Sequence, residues 1–162
     1  MKNTFFGLFF IMAVTFGFSS CKDKKNDPTP QKTPEELAII DITGGTSQVW
    51  TIAGGGSVVR DGRSETNIYQ NFEINFAANQ SSKTYTTRNN NDLFDASGNW
   101  SFAGSNFDKF TLTGTKPAAG REISFTRTGN DLILTFTISV PNGRSLPNGA
   151  VAGNYTFNLK KK

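Results

Sequence analysis

The chain lacks the side chain on which most enzymatic proton transfer depends. Its 162 residues contain no histidine and one cysteine, Cys21. This excludes a His general base, a Ser-His-Asp triad and an imidazole metal site. It also excludes an internal disulfide or a multi-thiolate zinc site. Carboxylates are the next candidates. Glycoside hydrolysis needs two acids facing one cleft, and Glu73 is the one acid read inside a strand, on its polar row. Gly54-Gly55-Gly56 lacks the Lys-Ser/Thr and the helix of a phosphate loop, and reads as a hairpin tip. Arg60, Asp61, Arg63 and Glu65 follow it and could grip an anion or a sugar, but read as a solvated loop. Asn89-Asn90-Asn91-Asp92 with Asp95 offers hard oxygens, in a spacing that departs from the calcium-loop pattern. The expectation is a non-enzymatic protein without metal or cofactor.

Cys21 has a specific context. Met1-Lys2-Asn3 carries one positive side chain, and Thr4 to Phe18 is uncharged and rich in Phe, Leu, Ile, Met and Val. That run is shorter than the ~20 apolar residues a membrane-spanning helix needs, and has the length of a signal-peptide core. Ser19 and Ser20 then precede the cysteine. Together these resemble a bacterial lipoprotein signal, which implies cleavage before Cys21 and a lipid on its thiol. The likeness makes residues 1–20 a signal peptide. It places the protein in the cell envelope at the outer membrane, on either face. Several acyl chains hold stably where one holds marginally, and Lys22, Lys24 and Lys25 add attraction to anionic headgroups.

The rest must supply the body. Residues 21–32 are polar with Pro28 and Pro30 and read as a disordered tether. Thr33-Pro34-Glu35-Glu36 opens a short helix, with an N-cap, a proline at the first position and a capping-box glutamate. Leu37, Ile39, Ile40 and Ile42 give it an apolar side, and Gly44-Gly45 ends it. The helix reads as packed against the body, with a plug or lid as the alternative.

From Ser47 the apolar period is two. Eight strands are expected: 48–53, 67–77, 83–88, 99–103, 109–113, 121–127, 131–140 and 153–159. Asp61-Gly62, Ser97-Gly98, Gly129-Asn130-Asp131 and Pro141-Asn142-Gly143 read as turns. No helix intervenes, so the sheet is antiparallel. One-sided strands in a meander must bury a common face. An eight-stranded up-and-down, lipocalin-like barrel over residues 33–162 does this and removes the edges; a two-sheet sandwich is the alternative.

Val49-Trp50-Thr51-Ile52, Phe72-Glu73-Ile74-Asn75-Phe76, Ser97-Gly98-Asn99-Trp100-Ser101-Phe102 and Gly153-Asn154-Tyr155-Thr156-Phe157 occur in this order behind the lipoprotein signal. In this the chain resembles the lipocalin-like lipoproteins of Bacteroidetes, most of unassigned function. The resemblance implies a barrel at the envelope and carries over no catalytic residues.

Within such a barrel the inward row is Trp50, Phe72, Phe76, Trp100, Phe102, Phe110, Phe125, Phe136 and Phe157. These rings can fill it, or leave room for one small ligand. Amphipathic rings suit a pocket mouth, so Trp50, Tyr69, Tyr85 and Trp100 are the candidate lining. With Lys2 removed the chain keeps 16 Lys/Arg against 13 Asp/Glu, and six of those cations sit at its two ends. The body is near neutral, which speaks against nucleic acid. Two functions remain: a monomeric lipoprotein that binds a small apolar or amphipathic molecule, or an accessory module that contacts an envelope protein or glycan through its loops.

Overall fold

The computed structural model describes residues 31–139 and 152–162. The signal peptide, Cys21, most of the tether, Val140 and the Pro141-Asn142-Gly143 turn lie outside the described residues. One helix, α1 (Pro34–Thr43), precedes ten strands: β1 (Ser47–Thr51), β2 (Ser57–Arg60), β3 (Arg63–Ser64), β4 (Glu73–Ala78), β5 (Lys83–Arg88), β6 (Ser97–Phe102), β7 (Lys109–Leu112), β8 (Ile123–Thr128), β9 (Asp131–Ile138) and β10 (Gly153–Lys161). The pairing runs β1-β4-β5-β6-β7-β8-β9-β10 and returns from β10 to β1. Every pairing is antiparallel, so the sheet is a closed eight-stranded barrel, as the alternation predicts, and the sandwich is excluded.

Ten segments make eight walls because β1 and β2 are two halves of one. β10 pairs Lys160 with Thr51 of β1 and Asn158 with Ser57 of β2. Two residues of β10 thus face a six-residue step on the other side. The surplus, Ile52 to Gly56, leaves the wall and returns, closed by Gly56 N–H donating to the Ile52 carbonyl at 2.8 Å. The glycine run is therefore an excursion within one wall, not a hairpin tip. A Cβ on Gly56 would lie 2.6 Å from the Asn158 carbonyl, so the return passes hard against β10.

Asp61-Gly62 is a turn, as expected, but it joins two unexpected strands. Both residues have positive φ, 48° and 78°, the hairpin geometry that Asp-Gly favours. Two boundaries also move. Residues 67–72 are turns, with Tyr69 N–H bonded to Thr66 and Phe72 N–H to Tyr69, so the wall begins only at Glu73. Ser97-Gly98 is not a turn but the start of β6, where Gly98 faces Tyr85 of β5. The last wall extends past Leu159: Lys160 and Lys161 form the seam with β1.

α1 has the ends its sequence specifies. The Thr33 hydroxyl accepts from Glu36 N–H at 3.2 Å, and the Glu36 carboxylate accepts from Thr33 N–H at 2.7 Å. Gly44 at φ 65° caps the other end. Leu37 departs from the expectation: Ala38, Ile42 and Thr43 are the buried positions, and Leu37 stands 52% exposed.

α1 lies across one barrel end, where its Glu35 pairs with Lys83 of β5 and Arg127 of β8 reaches its last turn. At the opposite end the connecting loops turn Tyr69, Leu93, Phe94 and Ala118 inward. Between them the alternation of β9 shows the rule: Leu132, Leu134, Phe136 and Ile138 are buried, while Ile133, Thr135 and Thr137 face outward. Residues Lys32–Lys162 form one compact unit.

Candidate functional site

The four candidate lining residues are all inside. Trp50, Tyr69, Tyr85 and Trp100 are 0–3% exposed. Each has its polar atom engaged. Trp50 Nε1 donates to the Ile42 carbonyl at 2.7 Å, and Trp100 Nε1 to the Ala77 carbonyl at 3.2 Å. The Tyr85 hydroxyl donates to the Thr113 carbonyl at 2.7 Å, and Tyr69 bonds the Asn91 side chain. Burial disfavours the phenolate, so both phenols are pushed up to about 12. Such groups are structural hydrogen-bond donors at any physiological pH.

Their rings belong to two aromatic clusters. Toward the loop end Phe94 packs against Phe72, Phe136 and Phe157 at centroid separations of 5.3, 5.6 and 5.6 Å, with Tyr69 5.1 Å from Phe157. Toward the helix end Phe76 and Phe110 lie 5.2 Å apart, Trp100 and Phe102 5.3 Å, and Phe102 and Phe107 5.3 Å. Ile74 on β4 and Leu134 on β9, both fully buried, occupy the level between. Edge-to-face and offset pairs of this kind are worth ~0.5–1.5 kcal/mol each beyond their burial. They fill space that a ligand would otherwise occupy.

The polar candidates are held in the framework. Arg60 Nη2 meets Glu65 Oε1 at 2.6 Å, and that bond raises the guanidinium pKa further. The Asp61 carboxylate accepts from Asn154 N–H and Nδ2, both at 2.9 Å, and the backbone donor first of all lowers its pKa. Asp61 ties the β2–β3 hairpin to β10 and Arg60 braces it through Glu65, while Asp61, Gly62 and Arg63 stay exposed at its turn, the solvated part of the expected loop. Asp92 pairs with Lys116 at 2.6 Å, and Asp95 accepts from Thr115 N–H, Thr115 Oγ1 and Lys116 N–H at 2.9–3.2 Å. Glu73 lies on the outer wall and pairs with Lys162.

Two recesses lie at the barrel edges, besides a smaller one of ≈ 260 Å³ on the outer wall around Glu73, Asn75 and Arg88. A recess of ≈ 430 Å³ beside the β4–β5 turn is lined by Asn79, Gln80, Ser81, Ser82, Asn99 and Ser101, with Trp100 at its base. A second, of ≈ 410 Å³, lies where α1 meets β8 and the β6–β7 loop, lined by Leu37, Ala38, Asp41, Phe107, Phe125 and Arg127. Phe107 adopts φ 56°, a left-handed conformation that costs a bulky residue about 1–3 kcal/mol. Sequence reasoning missed this second recess. In the sequence Leu37 belongs with the apolar side of the helix, and nothing there signals its exposure.

In comparisons with known proteins, no family model, curated protein or solved structure matches the chain. The fold and its edges define it as a closed antiparallel β-barrel with a helix-covered end. Among the described residues no helix is long and apolar enough to cross a membrane.

Proposed function

We propose that this chain is a cell-envelope lipoprotein of the lipocalin-like kind, held at the outer membrane through lipid on Cys21. Its barrel domain binds a small apolar or amphipathic molecule without changing it chemically. The observation that carries this reading is apolar surface left reachable at the helix end of a closed barrel, where Leu37 and Phe107 meet at a recess. The absence of histidine and the engagement of Glu65, Asp92 and Asp95 in ion pairs and backbone caps support binding over catalysis. Native mass spectrometry of the full-length protein purified from membranes should show a bound small molecule. Cys21→Ala should move the protein out of the membrane fraction. A bare protein mass, with no response to any apolar ligand, would refute the binding part; membrane retention of the Cys21 variant would refute the anchor.

A second reading rests on the other recess. Its amides and hydroxyls match a sugar better than a lipid, and would make the domain an accessory module that contacts an envelope glycan. Calorimetric titration with an oligosaccharide panel separates the two.

A further inference from the structure

We propose that the recess between α1 and the β6–β7 loop is a binding site for a small aliphatic amine. The inference rests on the ligand-binding reading above and names its place and chemical class. Three features converge there. The first is an apolar floor and wall: Ala38, small and almost buried, lets the recess reach the barrel, and Leu37 stands over half exposed beside it. The second is Phe107, held at φ 56° with its ring against Phe102. A strained aromatic at the wall of a recess marks a position that the surrounding structure enforces.

The third is charge. Asp41 and Asp108 line the recess against one cation, Arg127. That guanidinium is turned toward protein. It donates to the Ile40, Asp41 and Gly129 carbonyls, pairs with the Asp41 carboxylate at 3.8 Å and lies 5.9 Å above the Trp50 ring. Arg127 and Asp41 thus offset each other, and Asp108 is the charge left over at the recess. The Asp108 carboxylate is exposed and has no hydrogen-bond partner among the described residues. The rim is thus left acidic. An ammonium head is attracted to it and can also lie over the face of an aromatic ring, while a carboxylate head is repelled. The aliphatic body would lie along Leu37, Ala38 and Phe107.

The test uses the full-length protein in nanodiscs, titrated calorimetrically with hexylamine, hexanoate and 1-hexanol, with empty nanodiscs subtracted. Hexylamine should bind at least tenfold tighter than hexanoate, with hexanol between. Leu37→Gln should weaken hexylamine at least fivefold, and Asp108→Asn at least threefold, with unchanged urea midpoints. Equal affinity for amine and carboxylate overturns the site. So does hexylamine binding that Leu37→Gln leaves unaltered. A co-purified small molecule seen by native mass spectrometry in either case would leave the ligand-binding reading standing.

Discussion

Tyr85→Phe makes the packing argument quantitative. The Tyr85 hydroxyl donates to the Thr113 carbonyl at 2.7 Å, and its ring covers Gly98 on the neighbouring strand. Removing the hydroxyl keeps the ring and leaves one carbonyl short of a partner, a loss of about 1 kcal/mol near pH 8. At high pH the sign changes. Burial pushes the phenol from 10 up to about 12, so the folded chain holds the proton that the unfolded chain gives up. A group whose pKa is raised on folding stabilises fully below its unfolded pKa, and loses that contribution as pH climbs through the folded one. Two pKa units correspond to at most about 2.7 kcal/mol. Solvent screening near the barrel end reduces this to roughly half. The wild-type advantage of about 1 kcal/mol should therefore vanish and invert between about pH 11 and 12. Urea midpoints at constant m, taken from pH 8 to 12 for both proteins, read this directly. Every other group is the same in the two proteins and cancels in the difference. A difference that stays constant through pH 12 would show that the Tyr85 hydroxyl is not confined as described.

Gly98→Ala should destabilise by ~1–3 kcal/mol, as overpacking does. The new Cβ would stand 2.7 Å from both the Thr113 carbonyl and Tyr85 Cε1, and a urea midpoint equal to wild type would contradict that contact. Deleting Lys160–Lys162 should open the seam, because Lys161 pairs with Trp50, Lys160 with Asp131, and Lys162 N–H with the Val49 carbonyl. Hydrogen exchange should then lose its protection in β1 first, and unchanged protection there would mean that the barrel closes without these residues.

Much of this fold was legible because a closed meander needs only alternation and turns. Leu132 to Ile138 announces its buried face residue by residue, and Thr33 to Glu36 announces the helix start by a capping box whose two bonds both form. What was hidden has a common cause, contact between residues distant in sequence. Gly98 looks like a turn glycine beside Ser97, yet it stays in a strand because Tyr85 needs the space where a side chain would be. The β2–β3 hairpin is only a few residues per strand, too short for a period to show, although Asp61-Gly62 after Val58-Val59 was the available sign. Lys160 and Lys161 read as a solvated tail because their charge hides their backbone role. Lys160 points outward beside Asp131 and Lys161 is exposed at the barrel rim, while their backbones close the barrel against β1. Trp50, Tyr69, Tyr85 and Trp100 are all buried, but ring size alone does not reveal whether neighbours fill the space.

The fate of those amphipathic rings follows from where backbone groups go unpaired. A barrel exhausts its ladder in the middle and leaves orphan carbonyls at strand ends and at the last turn of a helix. Trp50 serves the Ile42 carbonyl in that last turn, Trp100 serves Ala77 near the end of β4, and Tyr85 serves Thr113 just past β7. Their indole and phenol groups thus satisfy the carbonyls at the barrel ends, and their rings pack inward against the clusters. Arg127 completes the same work at the helix C-terminus. An interior sealed in this way leaves binding to surfaces outside the seal. The recess at Leu37 and Phe107 lies at its edge, and Arg127 both lines that recess and lies over the Trp50 ring. A ligand that shifts the guanidinium also shifts the charge above the indole, so Trp50 emission, separated from that of Trp100 by comparison with Trp100→Phe, should change on occupancy.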